Sequence, residues 1–163
     1  MASELDAAII ELVIPMRAEY VSIARLTVSG VANRIGFDFD TIEDIKVSLS
    51  EVCNRLIGGS ARLRLEGRAT CRIVFVLSQD NLRIDFFVDG AEGVEGADGA
   101  ELFSPGGASA ADDRFFALGD RLAEADDRLA AADRLGPALI SLLMDEFEIS
   151  PNGRCVVSMK KYL

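Results

Sequence analysis

Two ionisable side chains stand one helical turn apart in the segment 48–57, namely Glu51 and Arg55. A carboxylate at this place could act as the general base that takes a proton from a hydroxyl group. A guanidinium four residues later repels a divalent cation and offers no oxygen to Mg²⁺, although it could pair directly with phosphate oxygens. The alternative is that both are ordinary charges on an exposed helix face. The pair alone therefore indicates an anion site without a metal, or no catalytic site.

The composition disfavours several classes of function. The chain has 163 residues, half of them apolar, which fits one domain with a real core. Acidic residues outnumber basic ones by 27 to 17, and the formal charge of −10 disfavours nucleic acid and anionic membranes as direct partners. Histidine is absent, which removes the commonest acid–base group at neutral pH and the commonest metal ligand. We therefore expect no metal site.

The cysteines and the N-terminus indicate the compartment. Cys53, Cys71 and Cys155 are odd in number, far apart and embedded in apolar runs, which favours buried, reduced thiols over a disulfide framework. The N-terminus lacks the basic and apolar regions of a signal peptide. No run approaches the roughly 20 apolar residues that a membrane span needs. The sequence therefore predicts a soluble protein of the cytoplasm.

Hydrophobic periodicity predicts one strand and two helices at the start of the chain. Residues 9–14 are short and β-branched and end at Pro15, as a strand does. Between Ala18 and a stop at Gly36, apolar residues recur at helical steps in one stripe: Tyr20, Ile23, Ala24, Thr27, Val28, Val31 and Ala32. A second helix begins at Asp40, with Glu43 completing a capping pair, and ends at the glycines 58–59.

Strand-like runs dominate the remainder outside one long insertion. Three of them follow at 62–65, 71–77 and 82–88, and a turn at 79–81 joins the last two as an antiparallel hairpin. A helix is predicted over 138–146, with Pro137 at its first turn, and a closing hairpin joins 147–149 to 155–159. Because helices and strands segregate, we expect an α+β fold, a two-layer sandwich in which a mixed, mainly antiparallel sheet carries helices on one face.

Residues 91–132 differ in character from the rest of the chain. The first part is rich in glycine, alanine and acidic residues, which predicts a loop. The second part repeats Asp-Arg-apolar at seven-residue intervals, with an a/d-like seam of Phe115, Leu118, Leu122, Ala125, Leu129 and Ala132. We expect a variable, lid-like insertion within a single domain of residues 1–163. The alternative for its helix is a surface decoration.

Several segments carry a resemblance to a known family. They lie at 11–15, 19–32, 42–46 and 50–53, and again at 143–146 and 159–163. Through them the chain resembles the bacterial anti-sigma factors of the stress and sporulation switches, which are serine kinases on the GHKL ATPase fold. The resemblance implies a homodimer that sequesters a sigma factor and yields it to an anti-anti-sigma (STAS-domain) partner. It also implies phosphorylation of that partner on serine with Mg·ATP.

The resemblance places the catalytic base and the metal ligand on one helix. Glu51 matches the family's base, but Arg55 stands at the asparagine that binds Mg²⁺. Asn54 cannot replace that asparagine, because one helical residue is a rotation of about 100°. We therefore expect no cofactor, with ATP and magnesium bound only if the chain is nevertheless an active kinase.

The resemblance also marks the adenine and phosphate positions. Val88 aligns with the aspartate that reads the adenine amino group, although a strand-end slip could bring Asp89 of the Asp89-Gly90 pair round to it. An ordinary turn is the alternative for that pair. Of the phosphate-cradling glycines only Gly136 remains, and Asp133 before it and Pro137 after it weaken an anion site. Asp89, Gly90 and Gly136 are thus the remnants of a nucleotide site.

The partner-binding residues that the resemblance implies lie on the first helix. Arg25 matches the position that contacts the sigma factor, and Tyr20, Val21 and Ser29 share its region. A solvated helix charge is the alternative for Arg25. We predict an anti-sigma factor without kinase activity. The alternatives are an active serine kinase of the anti-anti-sigma factor and a domain that binds only a STAS partner.

Overall fold

A five-stranded sheet and three helices make up the part of the chain that the structure describes. The computed structural model describes residues 7–65, 67–90, 103, 135–149 and 155–163. The strands are β1 (Ala8–Pro15), β2 (Thr70–Leu77), β3 (Asn81–Asp89), β4 (Glu146–Ile149) and β5 (Cys155–Tyr162). The helices are α1 (Val21–Ile35), preceded by a 3₁₀ turn at Ala18–Tyr20, α2 (Phe39–Arg62), and α3, which includes residues 135–143.

The sheet has two faces of different character. Its strands pair in the order β1-β2-β3-β5-β4, and every pairing among the described strands is antiparallel. Alternate residues of β2 and β3, such as Ile73, Phe75 and Ile84, are fully buried and share one hydrophobic cluster with α1 and α2. The residues between them, such as Arg72, lie on the face without helices. The predicted α+β sandwich with helices on one face is confirmed.

Helix α1 confirms most of the predicted stripe. Its buried residues are Val21, Ala24, Val28, Val31 and Ala32. Gly36 ends the helix as predicted, since its φ of 107° lies in the left-handed region and its N–H donates to the Ala32 carbonyl. The stripe was wrong at Ile23, which is 45% exposed. At 100° per residue, Ile23 lies on the opposite side of the helix from the centre of the buried set.

Helix α2 begins earlier and ends later than the sequence predicts. Its N-cap is Asp38, whose carboxylate accepts a 2.8 Å hydrogen bond from Thr41 N–H, and Asp40 lies inside the first turn. The helix continues through the buried glycines 58–59 to Arg62, so the strand predicted at 62–65 is wrong. Each helical glycine costs about 1 kcal/mol relative to alanine. Burial of Leu56 and Ile57 stabilises this turn by about 1.5–3 kcal/mol for each side chain, which outweighs that cost.

The C-terminal part of the described chain contains α3 and the last two strands. Residues 135–143 are helical and Glu146 opens β4, so the helix predicted over 138–146 ends three residues too late. The closing hairpin is confirmed, since β4 pairs antiparallel with β5. The predicted insertion 91–132 lies outside the described residues, apart from Phe103.

Two thiols face each other across the core. Cys53 on α2 and Cys71 on β2 are buried and free, which confirms the predicted buried, unbridged state for this pair. A hydrogen bond between their side chains and desolvation by burial both raise the pKa of the Cys53 thiol well above its usual value. A thiol in this environment is a poor nucleophile.

Candidate functional site

The carboxylate and the guanidinium that the sequence singles out form an ion pair. Arg55 Nε donates to Glu51 Oε1 at 3.0 Å, between consecutive turns of α2. The Arg55 side chain is only 10% exposed and the Glu51 side chain 30% exposed. A glutamate four residues before a cation is the favourable orientation of such a pair on a helix. The predicted base is therefore already engaged by a charge of its own helix.

An aromatic side chain covers the guanidinium of Arg55. The Arg55 Cζ atom lies 5.3 Å from the centre of the Phe103 ring, within cation–π range. Phe103 is 2% exposed, and its ring packs at 5.8 Å and 49° against the ring of Phe147 on β4. These contacts link α2 to the β4 edge of the sheet through one buried cation.

The backbone of α3 lies directly against the same ion pair. A methyl group added to Gly136 would overlap Glu51 Oε1 and lie 2.5 Å from both Arg55 Nε and Nη2. Only a residue without a Cβ fits there unless the ion pair moves. The structure thus brings together Glu51, Arg55 and Gly136, which the resemblance places at the base, metal and phosphate positions of a nucleotide site.

These residues do not fit a bound magnesium nucleotide. Mg²⁺ takes oxygen ligands in octahedral geometry, and the guanidinium of Arg55 supplies a positive charge and donors only. The backbone of Gly136 occupies the space beside the carboxylate.

The predicted adenine reader lies on the other side of the sheet. Asp89 Oδ2 accepts a 2.9 Å hydrogen bond from Arg72 Nε on the face without helices. This hydrogen bond raises the pKa of Arg72, whose guanidinium also stacks 4.2 Å from the Phe87 ring centre. Val88 instead packs against the core on the helix side. The structure therefore does not bring Asp89 together with Glu51, since β3 keeps its regular register with β2 through Asp89 and its register shift, between Phe86 and Phe87, is against β5.

Gly90 has a local structural reason to be glycine. Its φ is +91°, and a Cβ at this position would overlap the carbonyl oxygen of Arg68. An L-residue is strained on both counts. The close approach closes the end of β3 onto the turn that follows α2, and this requirement is independent of any nucleotide.

The predicted partner-binding residues on the first helix differ in accessibility. Arg25 is exposed and Ser29 half-exposed, whereas Val21 is 7% exposed within the core and Tyr20 packs against it. Two apolar residues of α1 are also exposed, namely Leu26, which follows Arg25 and is 75% exposed, and Ile23, which was predicted to be buried. A leucine outside the buried stripe was the sequence signal that could have identified this surface.

Comparison with known proteins identifies a family match and relatives of this chain. The histidine kinase-like ATPase domain family matches residues 14–161. The chain is 35% identical to the serine-protein kinase RsbW of Bacillus cereus (strain G9842) over 158 residues, which cover 94% of this chain and 84% of RsbW. It is 34% identical, with the same coverage, to RsbW of B. cereus (strain B4264). RsbW of B. cereus (strain Q1) is 47% identical over 75 residues, which cover 46% of this chain and 45% of that protein.

A helix that spans a membrane needs about 20 predominantly apolar residues, and this requirement can be applied to the described helices. None of them, within the residues that the structure describes, combines the length and apolar character needed to cross a bilayer.

The family match over residues 14–161 covers the α+β sandwich and the α2 segment that carries Glu51. The chain belongs to the histidine kinase-like ATPase family, and within it to the group of the RsbW serine-protein kinases.

Proposed function

We propose that this protein is an anti-sigma factor without kinase activity. It holds a sigma factor, and an anti-anti-sigma (STAS-domain) partner counters it by competition. Membership of the RsbW group supports the partner classes. The single observation that carries the absence of catalysis is the Glu51–Arg55 ion pair with Gly136 packed against it.

The chemistry of serine phosphorylation explains why this ion pair matters. A general base must reach the serine hydroxyl within hydrogen-bond distance and accept its proton. Glu51 Oε1 accepts a hydrogen bond from Arg55, and the backbone of α3 lies against the same oxygen. Phosphoryl transfer also depends on metal ions that neutralise the charge developing on the phosphates. With Arg55 at the metal position, both requirements are unmet.

The exposed face of α1 supports sigma binding. Arg25 is exposed there, and the helix contains no acidic residue although the whole chain carries a formal charge of −10. Leu26 adds an exposed apolar side chain next to Arg25. A local surface of this kind fits an acidic surface with an apolar centre on the sigma factor.

The remaining assignments are parts of the same proposal. We further propose that the chain is a single domain that works as a homodimer in the cytoplasm. β1 lies at the edge of the described sheet and exposes Ile9 and Val13, which would permit a two-fold contact. Residues 91–132 form an insertion of this domain that varies within the family.

Co-purification with a charge-reversed variant tests the proposal. The tagged chain is recovered from the native cytosol, and mass spectrometry identifies bound sigma factors and STAS-domain proteins. We expect a sigma factor with the wild type and a loss of about tenfold or more with Arg25→Glu, as for a charged interface contact whose partner is left unpaired. Arg68→Glu, which reverses an exposed charge away from α1, is the matched control.

Three outcomes of this experiment would count against the proposal. Recovery of STAS-domain proteins without any sigma factor would indicate a scaffold for the anti-anti-sigma partner alone. Equal recovery of the sigma factor by the Arg25→Glu and Arg68→Glu variants would refute the α1 interface. Phosphate on a serine of the co-purified STAS protein, formed by the purified chain with Mg·ATP, would favour the active kinase.

A further inference from the structure

Arg55 joins three parts of the chain that are distant in sequence. It donates to Glu51 on its own helix, lies under the ring of Phe103, and touches the backbone of α3 at Gly136. Phe103 in turn packs on Phe147 of β4. All of these residues are described by the structure, and the guanidinium stands at their centre.

Burial of the Arg55 guanidinium explains why these contacts stabilise the cluster. A charge that is 90% removed from water is stable only if other groups replace its hydration. The carboxylate of Glu51 supplies the counter-charge, and the Phe103 ring supplies a polarisable face for the planar cation. If Phe103 or α3 moves away, water reaches the guanidinium and the ion pair weakens. The contacts therefore support one another.

The centre of this cluster is also the place where a family member would hold its metal nucleotide. We propose that Arg55 is a positioning residue that replaces such a ligand, because its guanidinium holds Phe103 and α3 against α2 permanently. This inference rests on the proposed absence of nucleotide binding. It adds that the arrangement around Glu51 is a fixed state of the protein, which neither ATP nor ADP controls. Release of the sigma factor is then independent of the nucleotide pool.

Hydrogen exchange measured by mass spectrometry tests the positioning role. We expect Arg55→Ala to speed amide exchange by about tenfold or more in peptides covering 135–143, because the substitution removes the guanidinium against which α3 and Phe103 pack. Peptides from α1 should exchange as in the wild type. Arg55→Lys, which keeps the charge and loses the planar fork, should restore the protection only in part. Arg34→Ala, an exposed arginine of α1, is the matched control.

A fluorescence probe at Phe103 gives an independent readout. The chain contains no tryptophan, so Phe103→Trp supplies a single reporter at a position that is 2% exposed. Adding Arg55→Ala should shift the emission of this reporter towards that of the urea-unfolded chain while the far-ultraviolet circular dichroism stays unchanged. Should the bulkier ring fail to fit, the exchange measurement on the natural Phe103 chain decides alone.

The exchange measurements test the positioning role of Arg55 separately from the proposed function. Unchanged exchange in 135–143 for Arg55→Ala, or exchange that rises equally in α1, would overturn the positioning role. Slower exchange of the wild type in 135–143 on addition of Mg·ATP would instead show nucleotide binding and refute the proposed independence from nucleotides. No effect of Mg·ATP together with local loosening by Arg55→Ala supports both.

Discussion

Two helical glycines allow the Glu51–Arg55 ion pair to be tested by the sign of a stability change. Gly30 lies inside α1, where an added methyl group has no atom within 4 Å, whereas a methyl group on Gly136 meets Glu51 and Arg55. Neither glycine has a positive φ, so alanine suits both backbones. Gly30→Ala should therefore report helix propensity alone, and Gly136→Ala should report propensity together with displacement of the ion pair.

The expected magnitudes have opposite signs. Alanine in a helix interior is about 1 kcal/mol more favourable than glycine, so we expect Gly30→Ala to stabilise the protein by up to about 1 kcal/mol. Displacing a hydrogen bond between charged groups costs about 1.5–3 kcal/mol, and weakening a cation–π contact costs about 0.5–2 kcal/mol. Because Glu51 is partly exposed, the lower ends apply. Gly136→Ala should then destabilise the protein by about 1–2 kcal/mol.

Urea denaturation followed by circular dichroism measures both variants, provided that the m-value stays constant. The same substitution is repeated in the Glu51→Ala, Arg55→Ala background, where the methyl group meets no charged side chain. There Gly136→Ala should become neutral or stabilising. If Gly136→Ala stabilises the otherwise unchanged chain as much as Gly30→Ala does, α3 does not lie against the ion pair and the reasoning is refuted.

Two further predictions concern the core thiols and the cap of α2. In a Cys155→Ser background, Cys53 and Cys71 should resist a thiol reagent at pH 8 in the native protein and react fully in urea. Both thiols are buried, and the hydrogen bond with Cys71 together with burial raises the pKa of Cys53. Rapid labelling of the native protein would contradict this prediction. Asp38 has a pKa lowered by its hydrogen bonds from Thr41, so its contribution to stability is complete above its unfolded pKa of about 3.9 and is lost as the pH falls through the lower folded value. Thermal melts should therefore give Asp38→Ala a lower melting temperature than the wild type at pH 7 and the same melting temperature near pH 2. Asp38→Asn, which keeps a capping side chain, is the control. A difference in melting temperature that persists in acid would contradict the cap.

The sequence predicts those parts of the fold that depend on local pattern. The hairpin of β2 and β3 follows from two β-branched runs with a turn between them, and its register places Asp89 on the face of Arg72 rather than that of Val88. The end of α1 follows from Gly36. The length of α2 could not be predicted, because two consecutive glycines normally end a helix and only tertiary burial of their neighbours reverses that preference.

Only the part of the candidate site that depends on local sequence could be predicted. The spacing of Glu51 and Arg55 places them together on any helix, so their pairing is a local property. The cover of that pair by Phe103 and Gly136 is a contact between distant segments. Phe103 belongs to a stretch without helical or strand periodicity, and a single glycine does not reveal what lies against it. Contacts of this kind become visible only when the strands and helices are assembled.

The most direct test of the central claim is calorimetric titration of the purified chain with Mg·ATP, followed by incubation with a STAS-domain partner and mass spectrometry of that partner. RsbW of B. cereus, a serine-protein kinase, is the positive control. We predict no binding heat and no phosphoserine with this chain, because Arg55 stands where the resemblance places the metal ligand and Gly136 packs against the Glu51–Arg55 ion pair. Micromolar binding of Mg·ATP together with phosphate on a serine of the partner would contradict the account.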